Sequence, residues 1–171
     1  MVSYSNMLIW TKHLLKFFDM SRDPDVPSSR KVSVSMIAPF PKDLVFSIIT
    51  NPAEHKNFDG SGTVKDLVDG ARITGIGDVF RIKMRMWGIS YRIKNTVMEY
   101  SEGVVVAWAH LGKHRWRYEL EDVNGGTLIT ETFDWSYSVF PWLIELVGYP
   151  ESHPPRMERS LKALIHFLEE Q

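Results

Sequence analysis

The sequence predicts an α+β fold in which a curved antiparallel sheet of six to seven strands wraps around a long C-terminal helix. Three observations predict it. From Thr63 to Ser138 nearly every segment alternates apolar and polar residues with period two, broken by turn residues at short, regular intervals. The final segment repeats its apolar residues with helical period instead, at Met157, Leu161, Leu164, Ile165 and Leu168. Between the first strand-like stretch and the meander stand two short helical patterns, suited to plugging one end of a curled sheet.

Taken in order, the chain opens with an extension, residues 1–30. Met7, Leu8, Leu14, Leu15 and Phe18 can share one helical face, with Lys12, His13 and Lys16 nearby, and SRDPDVPSSR (Ser21–Arg30) reads as a polar linker. The domain proper is expected over residues 31–171. KVSVSMIA (Lys31–Ala38) alternates as a strand and stops at Pro39 and Pro41. A helix is expected over Asp43–Thr50, where Leu44, Val45, Ile48 and Ile49 recur at helical spacing before Asn51-Pro52. A shorter helix, Ala53–Phe58, runs into the turn DGSG at Asp59–Gly62. Turn signals at Gly70, Gly75/Gly77, Trp87-Gly88, Glu102-Gly103, Gly112-Lys113 and Asn124-Gly125-Gly126 then divide the meander. Pro154-Pro155 supply a rigid start for the last helix.

Composition narrows the functional classes. A chain of 171 residues with 44% hydrophobic and 24% charged content suits one globular domain with a substantial core. A net charge of −1 gives no global field to draw the molecule onto nucleic acid or anionic lipid. The absence of cysteine excludes disulfides and thiolate metal sites and fits a reducing cytosol, so a cytoplasmic location is expected. No apolar run approaches the ~18–20 residues of a membrane span, which leaves peripheral contact through residues 7–18 as the membrane role open to this sequence. Its oligomeric state is not encoded in any pattern we recognise.

The stretch RIKMRMWGISYRIK (Arg81–Lys94) sets the register of one hairpin. With Trp87-Gly88 at the turn, Met86 pairs with Ile89, Met84 with Tyr91, Ile82 with Ile93 and Phe80 with Asn95. These positions face the concavity, and a one-residue slip would expose all of them. The other face carries Arg81, Lys83, Arg85, Arg92 and Lys94, which is expected to be a solvated outer surface; it lacks the aromatics on which nucleic-acid bases stack. The next hairpin has two registers. A two-residue loop at Gly112-Lys113 turns Ala107 and Ala109 inward, whereas a three-residue loop turns Trp108 and His110 inward beside Tyr118 and Trp116. Asn124-Gly125 then favours Tyr118 opposite Glu131 and Trp116 opposite Phe133, with Ile129 and Trp135 on the same inward face.

WRYELEDVNGGTLITETFDWS (Trp116–Ser136) resembles a strand–turn–strand of bacterial members of the START, birch-pollen-allergen and polyketide-cyclase superfamily (SRPBCC, with the helix-grip fold). NPAEHKNFDGSGTV (Asn51–Val64) resembles the helix–turn–strand of the same group, and YPESHPPRMERSLKALIHFLEE its closing helix. The resemblance runs from Lys31 to the C-terminus; the first thirty residues depart from the family pattern, which starts at the first strand. It implies a helix-grip domain with an internal cavity. Members bind lipids, sterols, polyketides, quinones or plant hormones, and some act as cyclases, dehydratases or hydrolase activators.

The expected cavity is lined by Phe80, Ile82, Met84, Met86, Tyr91, Ile93, Asn95, Trp108, His110, Trp116, Phe133, Trp135, Leu161 and Ile165, with His55 and Asp59 at its mouth. Glu131 stands out, because a carboxyl among aromatics has its pKa raised by desolvation. With Tyr118 and Asn95 it could polarise a ligand carbonyl or take a proton from an acidic carbon; it could equally fix the sheet by bonding Tyr118. Asp59 and Ser61 are expected to cap their turn through side-chain-to-backbone bonds. His110, His114, His153 and His166 show no spacing that converges with carboxylates, so neither a metal nor a cofactor is expected. The leading expectation is a binder of a hydrophobic small molecule, lipid-like, polyketide-like or aromatic. A cofactor-independent cyclase or dehydratase using Glu131 and Tyr118 is the second class, and a regulatory or interaction module the third.

Overall fold

The structure, a computed structural model, describes residues 30–171, so the helix expected in the N-terminal extension lies outside the described residues. Seven strands form one antiparallel sheet in the order β1-β7-β6-β5-β4-β3-β2. In chain order the elements are β1 (Lys31–Ala38), α1 (Lys42–Ile49), α2 (His55–Phe58), β2 (Val64–Asp69), β3 (Val79–Met86) and β4 (Ile89–Ser101). There follow β5 (Val105–Ala109), β6 (Arg115–Val123), β7 (Gly126–Asp134), α3 (Pro141–Leu146), α4 (Tyr149–Ser152) and α5 (Pro154–Glu169).

The β2–β7 run is a meander in which each strand pairs with the next, and β1 returns to pair with β7 from Lys31↔Asp134 to Ala38↔Thr127. Ser33–Thr132 and Ser35–Thr130 hydroxyl pairs, each 2.8 Å apart, tie the outer faces of those two strands. Close approach at the end of this pairing requires glycine. A Cβ on Gly126, whose φ is +140°, would lie 2.0 Å from the Ala38 carbonyl oxygen.

The β3–β4 register is the one read from the sequence: Met86↔Ile89, Met84↔Tyr91, Ile82↔Ile93 and Phe80↔Asn95. Trp87 and Gly88 both have positive φ, 51° and 82°, as a two-residue hairpin turn matching the sheet twist demands. On the outer face Arg81 donates to both carboxylate oxygens of Asp69 at 2.9 Å. The open register resolves to Trp108↔Trp116 and Val106↔Tyr118, so Trp108 turns inward. Tyr118↔Glu131 and Trp116↔Phe133 pair as expected.

Two apolar clusters hold the layers together. The larger joins Val45, Phe46 and Ile49 of α1 to Leu120, Ile129, Leu161, Leu164 and Leu168, with Ile165 half-buried at its edge. The smaller contains Phe133, Trp135, Ile144 and Met157. Helices α3 and α4 were not foreseen. Pro141 opens α3, and Gly148, at φ +71°, supplies the left-handed residue that separates α3 from α4. Their apolar residues stay largely exposed, so periodicity had little buried face to report.

Candidate functional site

A cavity of about 440 Å³ lies between the concave face of β3–β7, the α2–β2 turn and the first turns of α5. That volume falls in the range of small-molecule sites. From β3 come Phe80, Ile82, Met84 and Met86, and from β4 come Tyr91, Ile93 and Asn95. Trp108, His110 and Trp116, also expected, line the cavity as well.

Four expected wall residues do not line it. Phe133 is fully buried behind Trp116 and His153, with ring centroids 5.0 and 4.3 Å away. Trp135 is drawn aside, its indole Nε1 donating to Glu145 of α3 at 3.0 Å. Leu161 is wholly buried in the larger cluster and Ile165 packs against its edge. Only the start of α5 faces the hollow, through Arg156, Met157 and Ser160; one more turn carries the helix onto α1 and the sheet core. At the expected mouth Asp59 lines the cavity, half-buried beside the exposed Ser61, whereas His55 lies deeper. His55 is 7% exposed and forms part of the inner wall, stacked on Trp108 at 4.9 Å. Exposed Ser61, Tyr91 and Arg156 mark the rim instead.

The polar groups inside are few. The Tyr118 hydroxyl donates to Glu131 Oε1 at 3.0 Å. Glu131 is 2% exposed and its other oxygen, Oε2, is buried with no hydrogen-bond partner among the described residues. Burial pushes its pKa up to about 8; the Asp59 carboxylate pushes the same way, and the Tyr118 hydrogen bond opposes them. Burial and the adjacent Glu131 likewise raise Tyr118 well above the usual phenol range. The upward shift favours the protonated form of the Glu131 carboxyl at neutral pH, the form able to donate.

His55 Nε2 lies 2.9 Å from the Ile49 carbonyl oxygen, which can only accept, so Nε2 carries the proton. Burial lowers its pKa to about 4, and the ring is a neutral spacer between Trp108, Phe58 and Phe80. Asp59 accepts from the Ser61 and Val64 amides at 3.0 and 2.8 Å and from the Ser61 hydroxyl at 2.9 Å, fixing the turn.

Sequence reasoning missed several wall residues. His114 and His153 line the cavity with Tyr149, Arg156 and Met157. His114 packs edge-on to His110 with centroids 4.0 Å apart, and its Nδ1 is buried without a partner. His153 stacks on Trp116 at 5.3 Å and on Tyr149 at 5.0 Å. Burial lowers all three imidazole pKa values, His114 to about 3 and His153 to about 4. The signal for His114 was available, because the loop that turns His110 inward also pairs it with His114. No sequence signal places His153, whose position depends on how α5 docks. Among the described residues, no group of His, Asp and Glu is arranged to hold a metal ion.

A seven-stranded antiparallel sheet gripping a C-terminal helix is a helix-grip fold, and this chain has it. A structural-genomics protein from Nitrosomonas europaea superposes with a TM-score of 0.65, covering 85% of this chain and 97% of its own at 16% identity. An AHSA1-like protein from Aeromonas hydrophila gives 0.58 over 82% of this chain and 92% of its own, at 15% identity. A "Polyketide_cyc-like" protein from Corynebacterium glutamicum gives 0.52 over 84% and 94%, at 14% identity. In sequence, an uncharacterized protein of Mycobacterium tuberculosis strain H37Rv is 32% identical over 139 residues, or 78% of this chain. The chain spans 62% of that relative's length. No family model matches the chain.

Proposed function

We propose that this chain binds a hydrophobic small molecule, lipid-like, polyketide-like or aromatic, in the cavity between the sheet and the start of α5. One observation carries the reading: Glu131 belongs to the wall of a largely aromatic and aliphatic cavity, and its Oε2 is buried with no hydrogen-bond partner among the described residues. A buried polar atom left without a partner costs about 1–3 kcal/mol, and a guest that bonds it recovers that cost. The aromatic and methionine walls suit an irregular apolar body. The likeness to a protein described as polyketide-cyclase-like supports the same class of guest. Native mass spectrometry of gently isolated protein should show a bound small molecule that is released on unfolding. A bare chain, unshifted by any apolar probe in solution, would remove the proposal.

A second reading is favoured by the protonation state of Glu131. A buried acid that titrates near neutral pH can give its proton to a departing hydroxyl and then take one from the neighbouring carbon, with net loss of water. This is dehydratase-type chemistry, with Tyr118 holding the carboxyl in place. Glu131→Gln keeps the shape and removes the acid. Retention of full turnover on an identified substrate would reject Glu131 as the catalytic acid.

A further inference from the structure

We infer that the cavity takes a neutral, elongated guest with a hydrogen-bonding group at each end, one held by Glu131 and the other by the Asn95–His110–His114 row. The inference deepens the binding proposal above and depends on it.

The strand registers generate the two poles. Tyr118 and Glu131 face each other across β6 and β7. One step along the sheet, Trp108 and Trp116 form an aromatic band between β5 and β6. The next inward positions follow from Thr96↔Ala109 and Ala109↔Arg115. They place Asn95, His110 and His114 side by side across three neighbouring strands. Four residues of extended chain separate His114 from Tyr118, a distance of about 13 Å. A guest that touches both poles must therefore be long, and its middle must lie against indole faces.

Each pole has unused hydrogen-bonding capacity. Glu131 Oε2 has no partner. His114 Nδ1 has none either, and it is closed off beneath Gly112, where a Cβ would lie 3.0 Å away. A neutral imidazole carries one proton; placed on Nε2, that proton sits on the ring edge left for the cavity, where a guest can use it. Asn95, 6% exposed, adds an amide to the same row. Burial favours the uncharged forms of Glu131, His114 and His153 in the wall; Asp59 brings a half-buried carboxylate to the same lining, and Arg156 is a cation on the exposed rim. A guest carboxylate driven to the Glu131 pole would meet the nearby Asp59 charge with no compensating cation. A single-headed fatty acid would thus fill the space while using at most one pole.

The test uses the full chain and four probes: para,para′-dihydroxystilbene, para-hydroxystilbene, stilbene and laurate, with affinities measured by titration calorimetry. The dihydroxy compound should bind about tenfold or more tightly than stilbene, the effect expected of two added neutral hydrogen bonds. His114→Phe and Glu131→Met should each lower the ratio of dihydroxystilbene to stilbene affinity about fivefold, with each variant's own stilbene affinity as the reference and as the check that the cavity still binds. The monohydroxy probe should respond to one of the two substitutions only. Equal affinity for stilbene and its dihydroxy form, or tighter binding of laurate, overturns the two-pole inference while leaving the hydrophobic-binding reading standing. Failure of all four probes to bind overturns both.

Discussion

Glu131 is the side chain whose chemistry depends most on its surroundings. Its folded pKa of about 8 lies above the ordinary 4.5, so the folded chain keeps a proton that the unfolded chain has already lost. The stabilisation linked to this proton is complete below pH 4.5, declines as the pH rises, and is gone above about 8. The full effect is on the order of a few kcal/mol. Glu131→Gln never ionises and lacks the decline. Urea unfolding should find variant and parent alike near the acid end and the variant more stable by about 2 kcal/mol or more at the alkaline end; parallel curves would mean that Glu131 is not buried as a neutral acid. Tyr118→Phe acts on the same group through the other oxygen. It removes the hydroxyl that donates to Oε1 and opposes the upward shift, so the Glu131 carboxyl should titrate higher still. Carbon NMR of that carboxyl reads the shift directly, and a fall in its pKa would contradict the assigned hydrogen bond.

At the scale of elements, the cavity depends on where α5 begins. The Gly60 amide donates to Ser160 Oγ at 2.9 Å, and Arg159 Nε returns to the Gly60 carbonyl at 3.1 Å. A Cβ on Gly60 would lie 2.2 Å from the Arg156 carbonyl oxygen and 2.4 Å from the Ser160 amide, both backbone atoms that cannot swing aside. Gly60→Ala should therefore push α5 outward, cost about 1–3 kcal/mol in urea unfolding, and weaken binding of an apolar probe. Gly75→Ala meets nothing within 4 Å and should change stability by no more than about 0.5 kcal/mol, so equal costs at the two sites would refute the clamp. The same elements show what the sequence could disclose. Strand pairing in β3–β4 and β6–β7 was legible because turn residues fix the loop length and alternation penalises a slip. The β5–β6 register was not, because either loop turned Trp116 and Tyr118 inward and only Trp108 and His110 exchanged places with Ala107 and Ala109. Leu161 and Ile165 were misplaced for a related reason: a helical stripe shows which face is buried, not what it is buried against. His153 belongs to neither kind of pattern and is brought to the wall by the docking of α5.

Across the whole molecule, buried ionisable groups of opposite type set a pH window for the folded state. His55, His114 and His153 have folded pKa values lowered to about 4, 3 and 4, against 6.5 in an unfolded chain. Their contribution is complete above pH 6.5 and is lost as the pH falls toward those values, because the unfolded chain then binds protons that the buried rings refuse. Asp78, Glu145 and Glu158, also held below their usual range, add to the loss at still lower pH. Glu131 acts in the opposite sense. Between pH 4.5 and 6.5 one carboxyl opposes four imidazoles, since burial lowers His110 as well, so stability should rise with pH. Above 6.5 only the carboxyl is still titrating among these groups, and stability should fall by at most about 1.4 kcal/mol per pH unit until about 8. The predicted curve is a dome with its maximum near pH 6.5, steeper on the acid side. Glu131→Gln should flatten the alkaline limb alone, and a neutral guest that bonds the protonated carboxyl should extend that limb upward by retaining the proton in the complex. A stability curve that stays level across this range in the parent chain would mean that the cavity wall is wet, and the case for a guest that replaces that water would fail with it.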